Sequence, residues 1–513
     1  MTGATGRGFT VHEVGGDDRP IELSPETTAA FVGRALRGPL DTPVLVGSFG
    51  EFRRRFGDCW SHSSLGPSVR AFFENGGRRL YVVRVANHAR GALLCLPASG
   101  SALILRAVEP GSAERLRAAV DYDGIDGADG DRFNLTLQRC DPGSGRVLDQ
   151  EMYRALSHVA DSPDFVGERL AASDLARAEA PWPTRRPDPT LAGGSRYAPD
   201  WAGHVQPGTD GGELSDYDLI GSQRAGTGLF ALDAVADFDL LYLPPRARAT
   251  DTGPAATLAA ELYARARGAM LIVDPPAAWA TCDDAVRGLR TLGYASPNAC
   301  MYFPRPGGAP GEPAPVAGGA LAGTLCRNDR RRGPGWSFAE DGLPLKAGLA
   351  PASMVNAADA RQLVLAGINP LVRDATGRVR LTGCATLARG SESHRLFKCL
   401  ATRRLCLRVV NTIDRATRWT VFERADGRLV ARVRHQVADY LGRLHAEGVL
   451  VSDDFLVLCD AGSRPASGNC RHGITLLLVF QPQGCRAPLS FTLHQSTSGC
   501  RVSMTAFAPF PRG

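Results

Sequence analysis

The sequence predicts an α/β and α+β multi-domain protein, and three observations carry that expectation. At 513 residues the chain exceeds what one hydrophobic core supports, so about two to four domains are expected. Uninterrupted apolar runs such as MLIVD (Met270–Asp274), separated by amphipathic segments, predict a mainly parallel sheet covered by helices on both faces. Residues 92–160 instead carry short alternating stretches, ALILRAV and FNLTLQRC among them, split by turn residues, the pattern of a β-rich domain.

Taken in order, residues 1–8 are Gly- and Thr-rich and read as a flexible lead. Phe9, Val11 and Val14 then frame a period-two segment, FTVHEV, cut off from the next apolar run by the polar turn GGDDRP. A lone strand so placed needs a sheet to join. From Thr28 the pattern runs strand (TAAFVG), loop, strand (PVLVG), and Ser48 with Glu51 forms a capping box for a helix ending near Gly57. A second helix through SVRAFFEN stops at Gly76–Gly77, and LYVVRV follows as a buried strand. Residues 174–213 hold many Pro, Gly and Asp residues without periodicity and read as a linker or surface loop.

After Tyr217 strands and helices alternate again: DLLYLPP, a helix near Pro254–Arg267, MLIVDPP, a helix from Ala277 to Leu292, ACMYFP, and a small-residue helix around Ala317–Cys326. A helix ending at Ala366 precedes INPLV and RLTGCATL. Two long helices come next, one with Leu396, Cys399, Leu400, Leu407 and Val410 on one face, the other with Leu429, Val433, Val437, Leu441 and Leu444. The last stretch returns to strands: FLVLCD, ITLLLVF, LSFTLHQ and VSMTAF.

Composition narrows the function classes. With 44% hydrophobic and 22% charged residues the chain has the balance of a folded globular protein. A formal charge of +6 without basic blocks interleaved with aromatics lacks the footprint of a nucleic-acid binder. The segment MTGATGRGFTVHEV has no apolar h-region, and runs such as Ile474–Phe480 fall far short of the roughly 20 residues that span a bilayer, so no membrane insertion is expected. The 13 cysteines are scattered singly with no C-x-x-C pair, which suggests reduced thiols of a cytoplasmic fold rather than a disulfide framework or zinc site. Six of them fall between Cys399 and Cys500.

Candidate chemistry is sparse, and no cofactor or metal is expected. The segment DYDGIDGADGD (Asp121–Asp131) invites calcium, but no EF-hand register with a closing Glu exists. Asp274 sits at the C-terminal end of an apolar strand, where open α/β sheets place ligand-binding groups. A Ser-His-Asp arrangement needs a histidine, and none occurs between Val205 and Ser393. No G-x-x-x-x-G-K-[ST] is present, and GATGRG follows no strand, so no phosphate cradle is expected. His435 and His445 lie ten residues apart on one predicted helix, on different faces.

Several segments together resemble the tail sheath proteins of contractile phages, R-type bacteriocins and extracellular injection systems. They are FVGRALRGPLDTPVLVGSFGEFRRRFG (Phe31–Gly57), VRAFFENGGRRLYVVRV (Val69–Val85), RFNLTLQRCDPGSGRVLDQEMYRALS, GLFALDAVADFDLLYLPP, MLIVDPPAAW, GINPLV, and TRWTVFE with VADYLGRLHAEGVL. They occur in the family's order over roughly residues 9–455. Residues 459–513, with GSRPASGNCRH and four cysteines, match only loosely.

The resemblance implies the following domains: an arm with a donated strand (1–20), the N-terminal part of an inner α+β sheath domain (21–90), and an inserted β-rich outer domain (91–173). After the linker (174–213) it implies a subtilisin-like, non-catalytic α/β domain (214–355) and a C-terminal inner domain with terminal strands (356–513). It implies a structural protein, not an enzyme. Such a subunit assembles in the cytoplasm as stacked hexameric rings around an inner tube, bounded by baseplate and cap proteins, and ends in a virion tail or a released particle. Strand exchange between copies falls here on Phe9, Val11 and Val14, and on Leu489, Phe491, Leu493, Val502 and Met504. Residues 1–8 and the GGDD turn are the flanks that let subunit bodies re-orient on contraction. The competing readings are an α/β hydrolase centred on Asp274 and a baseplate or adhesin component.

Overall fold

The computed structural model describes residues 20–21, 26–190, 200–247, 250–307, 317–346, 350–351, 354–389, 396–423, 426–460, 473–496 and 499–505. They fall into two compact units, one of Glu26–Arg331 with Phe338–Gly390, the other of Met1–Pro25, Arg332–Ser337 and Ser391–Gly513.

The larger unit is organised by a nine-stranded sheet in the order Leu343–Pro344, Val379–Leu381, Asn369–Arg373, Ala299–Phe303, Met270–Val273, Leu240–Tyr242, Ala29–Gly33, Leu80–Arg84, Val44–Val46. From Asn369–Arg373 to Leu80–Arg84 every neighbouring pair is parallel. The strands outside that block are antiparallel. Ala29–Gly33 is buried at all five positions, as an apolar run covered on both faces must be.

The period of two sends successive residues to opposite faces. Ala30, Val32, Leu241, Leu271, Val273, Met301 and Phe303 enter a core with Ala260 and Tyr263 of helix Pro254–Ala266 and Val286 and Leu289 of helix Cys282–Leu292. Phe31 and Tyr242 face the other way and meet edge to face at 5.1 Å, while Phe31 meets Phe72 of helix Leu65–Glu74 at 5.5 Å. Over that face lies helix Gly318–Arg332. Its Gly319 and Gly323, four residues apart on one face, abut the backbone of helix Leu65–Glu74. A Cβ on either would stand 2.1 Å from a carbonyl oxygen, of Ser68 and Phe72 respectively.

Two helix starts differ from the sequence reading. Ser48 accepts from the Glu51 N–H at 3.1 Å, but the Glu51 carboxylate reaches past it to the N–H of Gly47 at 2.8 Å, so only half of the expected capping box forms. The helix expected from Ala277 begins at Cys282, because Thr281 and Asp284 make a reciprocal capping box there.

Two small antiparallel sheets share a second core within this unit, with Leu94, Leu103, Leu105, Phe133, Leu135 and Leu137 fully buried. One sheet runs Leu116–Asp121, Arg132–Cys140, Val147–Ser157, and the other His204–Gln206, Leu93–Ala98, Ser101–Ala107, Ala176–Glu179. The expected linker 174–213 therefore supplies two strands. Each is only three or four residues long, too short to show a period amid the Pro and Gly around it.

A buried ionic node ties this β-rich lobe to the parallel sheet. Arg84, 1% exposed, donates to the carbonyls of Ala35 (3.0 Å) and Pro110 (2.7 Å), and also to that of Gly38. Burial pulls its pKa down to about 10, which leaves it charged at neutral pH, and Glu109, Asp210 and Glu114 offset the cost. Glu109 accepts from the Gly38 N–H at 3.0 Å and pairs with Arg139 at 3.4 Å, and Arg139 also binds Glu114 at 2.9 Å.

In the smaller unit, helices Leu400–Thr417 and Gly427–Ala446 share a core with an antiparallel sheet, ordered Leu456–Asp460, Gly473–Phe480, Leu489–Ser496, Gly499–Thr505. The expected stripe of the second helix is buried throughout. The first is turned relative to expectation: Leu396 is exposed and Leu407 half-buried, while Leu405, Cys406, Val409, Val410 and Ile413 face the core. Placing Leu396 and Cys399 on the helix caused the error, since the helix starts at Leu400 with Cys399 as its N-cap.

The compact units divide the chain differently from the expected domains. Residues 26–90 lie in the larger unit, because Ala29–Gly33 pairs with Leu240–Tyr242 on one side and Leu80–Arg84 on the other, whereas Ile21 packs in the core of the smaller unit. Residues 356–390 likewise belong to the larger unit, since Asn369–Arg373 extends its sheet from Ala299–Phe303.

Gly319→Ala and Gly323→Ala should each destabilise the larger unit by about 1–3 kcal/mol, because the displaced partner is backbone. Gly130→Ala, with nothing within 4 Å of its Cβ, should change little, and urea midpoints distinguish them. Arg84→Met should cost more, about 3–5 kcal/mol, by stranding buried carboxylates and carbonyls. An unchanged midpoint for Arg84→Met would show the node to be dispensable.

Candidate assembly edges and the Asp274 cleft

The crevice at the C-terminal ends of strands Leu240–Tyr242 and Met270–Val273 is where an α/β sheet offers a ligand site. Its lining includes Leu243, Arg246, Asp251, Thr252, Asp274 and Tyr294. Asp274, Asp251 and Thr252 are each tied to a structural partner. Asp274, partly buried, accepts from the Tyr242 hydroxyl on Oδ2 and from the Gly318 N–H, at 3.2 Å, on Oδ1. It thus holds the start of helix Gly318–Arg332 to the sheet. Asp251 accepts from the Ala277 N–H at 3.1 Å and pairs with Arg305, whose Nε donates to the Pro275 carbonyl. Thr252 donates its hydroxyl to the Leu243 carbonyl at 3.1 Å. Asp216 caps helix Pro254–Ala266 through the Ala256 N–H at 3.2 Å.

Burial raises the Asp274 carboxyl above its ordinary value, against the opposing pull of Arg305 and Tyr242. Burial and the neighbouring Asp274 push the Tyr242 hydroxyl well up, so it remains a donor. Among the lining residues no nucleophile is hydrogen-bonded to a base, so the arrangement serves as a clamp on two helix starts and a turn.

The other features weighed from the sequence are local. Within Asp121–Asp131, Asp121, Asp126 and Asp129 accept nearby backbone N–H groups at 3.0 Å. His435 is exposed beside Asp439 at 3.4 Å, and His445 Nδ1 lies 3.3 Å from the Leu450 carbonyl. No helix among the described residues is long and apolar enough to cross a membrane.

Of the candidate strand residues, Phe9, Val11 and Val14 lie outside the described residues. Leu489, Phe491 and Leu493 sit in an interior strand, buried and hydrogen-bonded to Gly473–Phe480 on one side and Gly499–Thr505 on the other. A strand with both edges filled has no ladder left to offer. Val502 and Met504 lie on the edge strand, paired inward with Leu493 and Phe491. Among the described residues no strand covers the outer edge of Gly499–Thr505 or of Leu456–Asp460. The latter edge was missed at the sequence level. Its signal is the alternation of FLVLCD, which leaves Leu458 50% exposed beside the buried Val457.

An α/β body with an inserted β-rich lobe, joined to a helical unit that carries an antiparallel meander, defines the class of fold. More narrowly, the chain has the fold of sheath tail proteins. It resembles the sheath tail protein of Listeria innocua with a TM-score of 0.63 at 12% identity, over 93% of this chain and 96% of that one. The sheath tail protein of Desulfitobacterium hafniense gives a TM-score of 0.52 at 12% identity, over 93% and 97%. A sheath complex of an extracellular contractile injection system, PVC, in its contracted state gives 0.49 at 14% identity, over 99% and 96%. No protein-family model and no curated protein sequence matches the chain.

Because burial raises the Asp274 carboxyl, the folded chain holds that proton more tightly than the unfolded one. This contribution to stability is therefore greatest at about pH 4 and below and is lost as pH rises through the elevated value. Asp274→Asn, which keeps an acceptor for Tyr242, should shrink the difference in urea midpoint between pH 4 and pH 7. An unaltered difference would mean that ionisation there costs nothing.

Proposed function

We propose that this chain is the structural subunit of a contractile tail sheath. It polymerises as stacked hexameric rings around an inner tube, and it contracts by rotation of its subunits, driving the tube through a target envelope. Its partners are further copies of itself, the tube protein, and the baseplate and cap proteins. It assembles in the cytoplasm and ends in a virion tail or a released phage-tail-like particle. The observation that carries this reading is the likeness to a sheath tail protein across 93% of the chain, with no large portion of either protein left over.

In this reading the arm carrying Phe9, Val11 and Val14 adds to the sheet of an adjacent copy. Main-chain hydrogen bonds then hold the lattice while flexible flanks let the bodies turn. The outer edges of Leu456–Asp460 and Gly499–Thr505, which no strand among the described residues covers, supply the complementary ladders. A contact repeated by a non-closing screw builds a long tube from one kind of chain. The six-strand parallel block corresponds to the subtilisin-like α/β domain in a non-catalytic form, supported by the commitment of Asp274, Asp251 and Thr252 to structural bonds.

Electron microscopy of the chain with its tube partner tests the proposal. Regular tubes of stacked rings are expected from the full chain, and a folded subunit without long extended sheath from a chain lacking residues 1–20. Normal tubes from the truncated chain would remove the arm from the mechanism. The absence of any polymer from the full chain under tube-forming conditions would remove the sheath reading itself.

A further inference from the structure

A cluster of thiols in the smaller unit has no part in the assembly reading and rests on independent observations. Cys399 is the N-cap of the 18-residue helix Leu400–Thr417. Thr402 and Cys406 follow at three and seven residues, so the three side chains share one helix face. Cys485, in the turn between strands Gly473–Phe480 and Leu489–Ser496, lies against that face with its Sγ 3.8 Å from the Thr402 Oγ1. Its backbone is held there by an N–H to Pro482 carbonyl bond of 3.0 Å and by Gln481 Nε2 on its own carbonyl at 2.8 Å. All three cysteines are reduced. Cys399 and Cys485 are partly exposed, whereas Cys406 is wholly buried.

We propose that Cys399 and Cys485 form a reversible regulatory disulfide, with a low-molecular-weight disulfide as oxidant. The position of each thiol sets its role. Cys399, partly exposed at the helix N-terminus with no acidic residue in the first turn, is placed to meet the oxidant first. Burial pushes the Cys485 thiol up, which suits a resolving group that acts second. Burial pushes Cys406 up far more, and no solvent path reaches it.

In the first step the Cys399 sulfur attacks one sulfur of the oxidant. The oxidant's S–S bond breaks, and one small thiol leaves with the electron pair and the proton given up by Cys399. Cys485 then attacks the Cys399 sulfur in the mixed disulfide, releasing the second small thiol with the second proton. Two protein thiols are oxidised and one small disulfide is reduced to two thiols. The product staples the start of helix Leu400–Thr417 to the hairpin that carries the interior strands of the meander.

The test is peptide mapping of the full-length chain after incubation with oxidised glutathione and alkylation. A peptide linking Cys399 to Cys485 is expected, with a loss of about two titratable thiols per chain, and dithiothreitol should restore them. C399S and C485S should each abolish the link, while C406S should retain it. Glutathione left on either residue without closure, a link that uses Cys406 instead, or no reaction at either thiol would each overturn the proposal. The mapping of the unaltered chain decides this even if a serine variant fails to fold.

Discussion

The parallel pairing of Ala29–Gly33 between Leu80–Arg84 and Leu240–Tyr242 is the constraint on which the larger unit depends. The chain enters the sheet near its N-terminus, leaves at Arg84, and returns only at Leu240. Everything between must begin and end beside the same strand, so the β-rich lobe is an insertion whose two ends are held at one place. Arg84, the last residue of its strand, marks that place. Its guanidinium gathers carbonyls from the loop after Ala29–Gly33 and from Pro110 at the root of the lobe. Glu109, Glu114 and Arg139 extend the same charge network into the lobe. A buried cation costs several kcal/mol unless its hydrogen bonds are complete. The node therefore resists any motion of the lobe that would break it piecemeal.

How much of this was legible follows from what each signal measures. Apolar runs such as those at Met270–Val273 and Ala299–Phe303 are buried on both faces, and composition alone identifies them. The core stripe from Leu429 to Leu444 follows local rules of spacing, whereas the capping box at Thr281 was passed over in favour of a start at Ala277. The sheet order was not legible, because nothing in the residues around Phe31 records that one of their two partner strands lies more than 200 positions away. The strands Ala176–Glu179 and His204–Gln206 were hidden for a different reason: four and three residues cannot display a period. Leu489, Phe491 and Leu493 were singled out by the resemblance to sheath proteins, and they also alternate cleanly. That same alternation is what an interior strand shows when its apolar side faces a core. Edges are defined by what is missing beside a strand, and a single sequence does not register absence.

The Asp274 crevice shows how position in a fold and function separate. Strand ends in a parallel sheet collect helix N-termini and turn backbone, and these need acceptors whether or not a substrate ever arrives. Here Asp274 serves the start of Gly318–Arg332, Asp216 that of Pro254–Ala266, and Asp251 the turn after Pro275. The helix held by Asp274 is the one whose Gly319 and Gly323 admit the backbone of Leu65–Glu74. A shift of its first turn would open that contact, so the carboxylate sets the depth at which two helices and the sheet interlock. An acid fixed in this way is poorly placed to move protons for a substrate.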